Sequence, residues 1–301
     1  MEDKNKKLIV LVGPTAVGKT TMSIRLAKHF SAEIISADSR QFFKELTIGT
    51  AKPIQEELNL VKHHFINSHS ITDEIDAARY GDEALSLINN LFKFHKYLVV
   101  CGGSGLYING LLEGFDDIPE VPENIRQEIE SGYEEKGLLW LQHNLQKDDP
   151  EYYSKIDINN PARMMRALEV VWTTGKSISS FQTKQKKSLP FSVTKIGLEL
   201  DRTELYKRID NRMDNMIESG LFDEAKALYS YRHHNALQTV GYSEIFDFLE
   251  GKTDREETIR LLKRNSRRYA KRQLTWFKRD EEIRWFYTDQ SDEIIRHIEN
   301  H

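Results

Sequence analysis

The feature that most constrains this chain is a segment of eight residues near its beginning. It follows a short apolar run, Lys7–Val12, and precedes Thr20–Phe30, in which apolar residues recur at helical spacing. A glycine-containing motif between a strand and a helix is typical of a phosphate-binding loop, so we expect a diphosphate or triphosphate site in an α/β fold. The segment matches G-x-x-x-x-G-K-[ST] in full and consists of Gly13, Pro14, Thr15, Ala16, Val17, Gly18, Lys19 and Thr20.

The chemistry of this segment follows from its residue types. Glycines allow the backbone to wrap closely around phosphate oxygens, and the N–H groups at the start of the helix supply positive potential. Lys19 adds a full charge, and the Thr20 hydroxyl is a candidate ligand for Mg²⁺. The motif predicts polyphosphate binding, but it does not specify the reaction.

Strand and helix patterns alternate along the first hundred residues. Apolar runs at Glu33–Ser36 and Lys96–Cys101 predict two further strands, and Asp73–Phe94 predicts a long helix between them. Because these strands are apolar throughout, we expect a parallel sheet with helices on both faces, like that of P-loop NTPases.

The pattern changes after Gly114. Helical segments and polar turns dominate until Lys195–Leu200, where a strand pattern resumes. We therefore expect an α/β core formed by residues 1–114 and 198–301, interrupted by an all-helical insertion at 115–197. Helices are also predicted in the last hundred residues, at Arg202–Ser219, Phe222–Ser230 and Asp254–Arg279.

Charge is distributed unevenly along the chain. The net charge of −4 argues weakly against a nucleic-acid partner, but Arg255–Arg279 carries ten Lys/Arg against two Asp/Glu. That stretch is either a face for an RNA backbone or the solvated side of an amphipathic helix. There is no apolar run long enough to cross a membrane, and the single cysteine, Cys101, excludes an internal disulfide. We expect a cytosolic protein.

An acidic residue is predicted beside the phosphate loop. Asp38 lies just past the strand Glu33–Ser36, whereas Lys96–Cys101 runs into glycines with no acidic residue at its end. Because the carboxyl ends of neighbouring parallel strands border one crevice, Asp38 should face the loop. Its carboxylate is a candidate general base or metal ligand, and the alternative is a residue that caps a turn or a helix.

Further motifs follow in series: Asp38–Gln41, Ile48–Pro53, Gly102–Tyr107, Asn160–Val170, Gly241-Tyr242 and Tyr269–Phe277. Together with the phosphate loop they resemble the bacterial tRNA dimethylallyltransferases over nearly the whole chain. The resemblance implies transfer of a dimethylallyl group from dimethylallyl diphosphate to N6 of adenosine-37 in the tRNA anticodon stem-loop. It also implies a Mg²⁺ cofactor and a cytoplasmic enzyme, which we expect to be a monomer. The phosphate loop, which by pattern alone suggests ATP, would then hold a diphosphate.

The resemblance also implies roles for individual residues. Lys19, Thr20 and Arg212 are assigned to the diphosphate, Asp38 to the N6 proton or to Mg²⁺, and Gln41 to the edge of the adenine. Asn67 stands where the family often carries aspartate, so its role is open. The residues assigned to tRNA are Asp38, Ser39, Arg40, Gln41, Ser104, Arg126, Ala162, Arg163, Met164, Met165 and Arg166.

Two other functions share part of this pattern. A small-molecule or nucleotide kinase would carry the same loop, but the absence of an acidic residue at the end of Lys96–Cys101 argues against it. A non-catalytic RNA-binding protein that senses a nucleotide is the second alternative. Loss of turnover with intact tRNA affinity on replacement of Asp38 would separate an enzyme from such a switch.

Overall fold

The computed structural model describes residues 5–116, 118–181 and 187–301. The chain forms two compact units, one from Met1–Gly114 with Ser188–His301 and one from Phe115–Lys187. The second unit ends before the boundary expected at residue 197, because the chain from Ser192 onward already pairs with the first strand of the sheet.

The first unit contains a six-stranded sheet in which every pairing is parallel. The spatial order is β3-β2-β4-β1-β5-β6, so the strand before the phosphate loop lies in the interior of the sheet. The α/β class with a parallel sheet, predicted from the sequence, is confirmed. The strands are β1 Lys7–Val12, β2 Ile34–Ser36, β3 His63–His64, β4 Tyr97–Gly102, β5 Ser192–Glu199 and β6 Arg284–Tyr287.

Helices flank this sheet and form the second unit. Those of the first unit are α1 Lys19–Phe30, α2 Gln55–Leu60, α3 Ala77–Leu91, α4 Gly105–Leu112, α9 Arg202–Glu218, α10 Leu221–Ala227, α11 Ser243–Leu249, α12 Arg255–Phe277 and α13 Ser291–Asn300. Those of the second are α5 Glu123–Lys136, α6 Leu138–Asp148, α7 Pro150–Tyr153 and α8 Pro161–Thr174. In the described part of the chain, no helix combines the length and the apolar character needed to cross a membrane.

Alternation along β1 explains why the sheet is covered on both sides. Leu8, Val10 and Val12 pack into one apolar cluster, and Ile9 and Leu11 pack into another on the opposite face. All five are almost completely buried. The uninterrupted apolar run that predicted this strand is therefore the result of burial on both faces, and it brings the phosphate loop to the carboxyl edge of the sheet.

Capping residues define the starts of two helices, and one of them corrects the sequence prediction. The helix predicted from Asp73 begins at Ala77. Asp76 is its N-cap, because its side chain accepts a hydrogen bond from Arg79 N at 2.8 Å. In the second unit, Asn160 caps α8 by accepting from Arg163 N at 3.2 Å. That helix buries one face against α5 and α6 in a separate apolar core.

Candidate active site

The phosphate loop connects β1 to α1 and is stabilised largely by its own residues. Gly18 adopts a φ of 106° at the N-cap of α1, a conformation that favours glycine. Lys19 Nζ donates hydrogen bonds to the carbonyl oxygens of Gly13 at 2.9 Å and Pro14 at 2.8 Å. The lysine thus folds back over the loop, with its charge held where phosphate oxygens would bind.

The environment of Lys19 changes its protonation. Burial lowers the pKa of this ammonium from 10.5 to about 8. Asp38 and Cys101 partly oppose this decrease, whereas the charge of Arg212 adds to it. A partly desolvated cation of this kind gains more from an incoming anion than a fully hydrated one would.

Asp38 lies in a tight turn after β2. Its Oδ1 accepts a hydrogen bond from Arg40 N at 3.1 Å, so the carboxylate caps the turn as the alternative interpretation expected. Ser104 secures the same turn from the start of α4, because its Oγ accepts from Ser39 N at 3.0 Å and donates to Ser39 Oγ at 3.1 Å. The turn therefore holds Asp38 and Ser39 against the loop that follows β4.

A cavity of about 90 Å³ brings several of these residues together. Asp38 and Arg212 line it together with Thr15 and Ala16 of the phosphate loop, and Arg40 lies at the same cavity. Burial lowers the pKa of both arginines, and the charge of Asp38 opposes the decrease in each. The cavity can therefore neutralise an anion and accept a proton within one small space.

Thr20 and Gln41 line a second, smaller cavity of about 20 Å³, next to Ser36 and Cys101. The Gln41 amide donates to the carbonyl oxygens of Thr50 and Ala51, both at 3.3 Å. Gln41 thus braces the segment around Thr50, and it does not line the cavity that contains Asp38. Reading of an adenine edge by Gln41 would require this amide to exchange its partners.

The oxygen donors here suit a hard divalent cation with few protein ligands. Over the described ranges, no group of three or more His, Cys, Asp or Glu side chains could hold a metal ion. Mg²⁺ commonly keeps several waters and binds through one or two side chains together with phosphate oxygens. The Thr20 hydroxyl and the Asp38 carboxylate fit that chemistry, but they line different cavities.

Gln273 is a site residue whose role is not predicted from the sequence. Its Oε1 accepts from Thr15 N at 2.8 Å, and its Nε2 donates to Gly103 O at 2.9 Å. This buried amide of α12 therefore links the phosphate loop to the glycine segment after β4. Tyr269, one turn earlier, lines the cavity of Asp38, and burial raises its pKa to about 12. Both residues lie in Tyr269–Phe277, one of the motifs that carry the family resemblance, and their spacing of four residues places them on one side of α12.

Glu224 of α10 also acts at the site from a distance. Its Oε2 accepts hydrogen bonds from Thr47 N at 3.0 Å and Ile48 N at 2.8 Å, and its Oε1 accepts from Gly49 N at 3.0 Å. The Tyr242 hydroxyl donates to the same carboxylate at 2.6 Å. Gly49 and Thr50 line the cavity of Asp38, so this carboxylate fixes one of its walls.

The residues assigned to tRNA in the helical unit differ in exposure. Arg126, Ala162 and Arg163 are exposed, whereas Arg166 is partly buried and pairs with Glu169 at 2.9 Å. Met165 is partly buried. Met164 must be corrected: it is fully buried among α5, α6 and α8, so it is a core residue with no surface for RNA.

The basic segment of α12 has two distinct faces. Arg268, Lys271 and Arg272 are exposed, while the opposite face is buried, so both interpretations of this segment describe part of it. Arg267 pairs with Asp210 at 2.6 Å. Four aromatic residues near these motifs could stack on bases or line the site; of these, Phe42 and Phe43 are core residues, Tyr107 is partly buried, and Trp276 is 36% exposed.

Comparison with known proteins gives consistent results across nearly the whole chain. A family model described as IPP transferase matches residues 41–280. The chain is 52% identical to a tRNA dimethylallyltransferase of Cytophaga hutchinsonii over 295 residues, which covers 98% of this chain and 97% of the relative.

Solved structures are similar at comparable coverage. The crystal structure of a full-length tRNA isopentenylpyrophosphate transferase from Bacillus halodurans is 38% identical, covers 98% of this chain and 97% of its own, and superposes with a TM-score of 0.72. A eukaryotic dimethylallyltransferase whose structure was determined acting on tRNA is 30% identical. It covers 94% of this chain and 74% of its own, with a TM-score of 0.77.

Proposed function

The chain belongs to the IPP transferase family, and we propose that it transfers a dimethylallyl group from dimethylallyl diphosphate to N6 of adenosine-37 in tRNA. Family membership confirms the resemblance inferred from the motifs. The observation that carries the proposal is the cavity in which the phosphate loop meets Asp38 and Arg212. This arrangement joins a site for a diphosphate to a carboxylate that can accept a proton. We expect the protein to act as a cytoplasmic monomer.

In the proposed reaction, one bond forms and one breaks. The lone pair of adenine N6 attacks C1 of the dimethylallyl group, and the bond from C1 to the diphosphate oxygen breaks. The proton released from N6 passes to the Asp38 carboxylate, and the diphosphate leaves with both bonding electrons. Because an exocyclic adenine amine is a poor nucleophile, orientation and proton acceptance both contribute to the rate.

Cations of the site stabilise the leaving group. Lys19 and Arg212 are partly desolvated, so their attraction to the diphosphate is stronger than it would be in water. When Mg²⁺ is bound, Thr20 would hold it together with diphosphate oxygens, and the ion supplies further positive charge to the leaving group. Asp38 lines the cavity that contains Arg212, and Thr20 follows Lys19 at the start of α1, so we assign Asp38 to the proton and Thr20 to the metal.

We assign recognition of tRNA to exposed cations of both units. These cations are exposed and can contact backbone phosphates. They are Arg126 and Arg163 in the helical unit, and Arg268, Lys271 and Arg272 on α12. The target base must leave its stack to reach Asp38, because N6 is otherwise inaccessible inside a folded loop.

The proposal is tested by incubating unmodified tRNA with the protein, dimethylallyl diphosphate and Mg²⁺, followed by mass analysis of the released nucleosides. We expect N6-dimethylallyl-adenosine at one position of the anticodon loop. Phosphoryl transfer from ATP without prenylation of any tRNA would contradict the proposal.

Asp38→Asn tests the role of the carboxylate. The amide keeps the size of the side chain but accepts a proton poorly, so we expect kcat to fall by about 10²–10⁴-fold, with tRNA affinity nearly unchanged. Asp247→Asn is the matched control, because that carboxylate lies in an exposed pair with Lys252. Turnover of Asp38→Asn near that of the control would remove Asp38 from the proton transfer.

A further inference from the structure

A turn at residues 231–235, between two short 3₁₀ helices, exposes two rings to solvent. Tyr231 is 43% exposed, and His234 is exposed as well. The centroids of their rings lie 5.8 Å apart, with an angle of 48° between the ring planes. We call this segment the aromatic turn. It offers the faces of two adjacent rings to a binding partner.

The aromatic turn adjoins the cavity that contains Asp38. Its last residue, Asn235, accepts a hydrogen bond at Oδ1 from Arg40 Nη2 at 3.4 Å, and Arg40 lines the cavity. A few residues further along the chain, Thr239 and Val240 line the same cavity. The two exposed rings do not line it themselves. They therefore lie next to the site of the reaction but outside it.

Hydrogen bonds fix the backbone of the aromatic turn. His234 N donates to Tyr231 O at 2.9 Å, and Gln238 Nε2 donates to Arg232 O at 2.6 Å. The Arg232 guanidinium lies over the ring of Tyr229, 4.4 Å from its centroid. The backbone is thus held in place while the two rings stay exposed, and such a preorganised surface loses little conformational freedom when it binds.

The chemistry of the two rings favours an unstacked base as their partner. The target adenine must leave its stack to bring N6 to Asp38, so each neighbouring nucleotide loses a stacking partner. Tyrosine and histidine rings are groups on which proteins stack such bases. A backbone phosphate would instead be contacted by a cation such as Arg40.

We propose that Tyr231 and His234 stack on the base of a nucleotide next to the target adenine. This inference rests on the proposed function. The rings replace the stacking that the neighbouring base loses when the adenine enters the cavity, so they stabilise the opened form of the anticodon loop. Because they lie outside the cavity of Asp38, they act on the affinity for tRNA and not on the chemical step.

The test measures the affinity of the protein for an anticodon stem-loop without the prenyl donor. Two further stem-loops lack the base on one side or the other of the target adenine. Tyr231→Ala should raise Kd for the intact stem-loop about tenfold, because one stacking contact is lost. Tyr231→Phe keeps the ring and should bind within about twofold of the unmodified protein. For the stem-loop that lacks the stacked base, Tyr231→Ala should change Kd less than about twofold.

Tyr287→Ala is the matched control, because Tyr287 is an equally exposed tyrosine on β6. If Tyr231→Ala binds every stem-loop as this control does, the rings do not contact RNA. A loss by the same factor for all three stem-loops, or a Tyr231→Phe variant as weak as Tyr231→Ala, would also overturn the inference. Failure of the unmodified protein to transfer a dimethylallyl group to tRNA would contradict the proposed function instead.

His234→Ala tests the second ring by steady-state transfer. We expect KM for tRNA to rise about threefold or more, with kcat within about twofold, because the ring does not line the cavity. His233→Ala, at the exposed preceding position, is the control and should leave KM unchanged. A fall in kcat with an unchanged KM would contradict a role in binding the neighbouring base.

Discussion

Two of the loops that line the cavity of Asp38 are stabilised in different ways. The phosphate loop, Gly13–Thr20, is shaped largely by its own glycine and by Lys19, which bonds carbonyl groups five and six residues earlier. The loop at Thr47–Lys52 depends on Glu224, which accepts three of its N–H groups from more than 170 residues away. The first conformation is encoded locally, whereas the second exists only after α10 has packed against the loop.

The two loops nevertheless share features. Each has an alanine in the left-handed region, Ala16 with φ 63° and Ala51 with φ 44°, which surrounding contacts must maintain. Each also has a lysine whose pKa burial lowers to about 8, Lys19 and Lys52. The Lys52 ammonium donates to Phe43 O and to Asn67 Oδ1, so the neutral Asn67 acts as an acceptor for it.

Among changes to these two loops, removing the charge of the phosphate loop should have the largest effect. Lys19→Met keeps a similar length but loses the cation that meets the diphosphate, so we expect kcat to fall by about 10²–10³-fold. Folding should be little affected, because the lysine bonds only the loop itself. Single-turnover transfer and thermal unfolding together measure this separation. Activity within threefold of the unmodified protein would show that the loop does not bind the leaving group.

The second loop should be sensitive to a change outside it. In Glu224→Gln one oxygen becomes an N–H donor, which cannot accept from the loop, so the wall formed by Gly49 and Thr50 loosens. We expect kcat/KM to fall by about 10–100-fold, with a loss of stability of about 1–3 kcal/mol. Steady-state kinetics and denaturant unfolding measure the two effects.

Asp223→Asn provides the matched control for Glu224→Gln. Asp223 is the preceding residue in the first turn of α10, and it is exposed. It has the same relation to the helix dipole but lies outside the contacts to the loop. Equal effects of the two substitutions would mean that Glu224 acts only on α10, and the contrast between the loops would disappear.

This contrast explains what could be predicted from the sequence. The bounds of β1, the end of α1 at Phe30 and the parallel sheet are predicted from apolar runs and from a motif of eight residues. Asp38 was expected to face the phosphate loop because of the general geometry of parallel sheets, and the two line one cavity. These features depend on neighbours in sequence or on rules common to a fold class.

The unpredicted features depend on contacts between distant residues. Glu224 is one of 47 acidic residues, and nothing local distinguishes it from its exposed neighbour Asp223. Strand β3 is only His63–His64, which is too short to show a hydrophobic pattern. Strand β6 follows a charged stretch, so its four residues do not stand out as an apolar run. Gln273 gains its partners only when α12 packs beside the phosphate loop.

Gln273→Leu would show how far the phosphate loop depends on other elements. Leucine cannot accept from Thr15 N or donate to Gly103 O, so two buried polar groups lose their partner. We expect KM for dimethylallyl diphosphate to rise about tenfold, a smaller effect than that of Lys19→Met. Gln127→Leu, at an exposed position of the helical unit, serves as the control. An unchanged KM would mean that the loop keeps its shape without α12.

The pH dependence should distinguish the two lysines. Since the pKa of Lys19 is about 8, kcat/KM for dimethylallyl diphosphate should be level near pH 7 and decline toward tenfold per unit well above pH 8. Lys52→Arg keeps its charge throughout this range, so any part of the decline that it removes belongs to the second loop.

The decline should not reflect unfolding. Because the folded pKa of Lys19 lies below its ordinary value of 10.5, the unfolded state binds more protons between about pH 8 and 10.5, and this group adds stability as pH rises through that window. Thermal unfolding at pH 7 and 9 tests the predicted rise in stability. A level profile of kcat/KM up to pH 9.5 would show that neither lysine must be charged for the diphosphate to react.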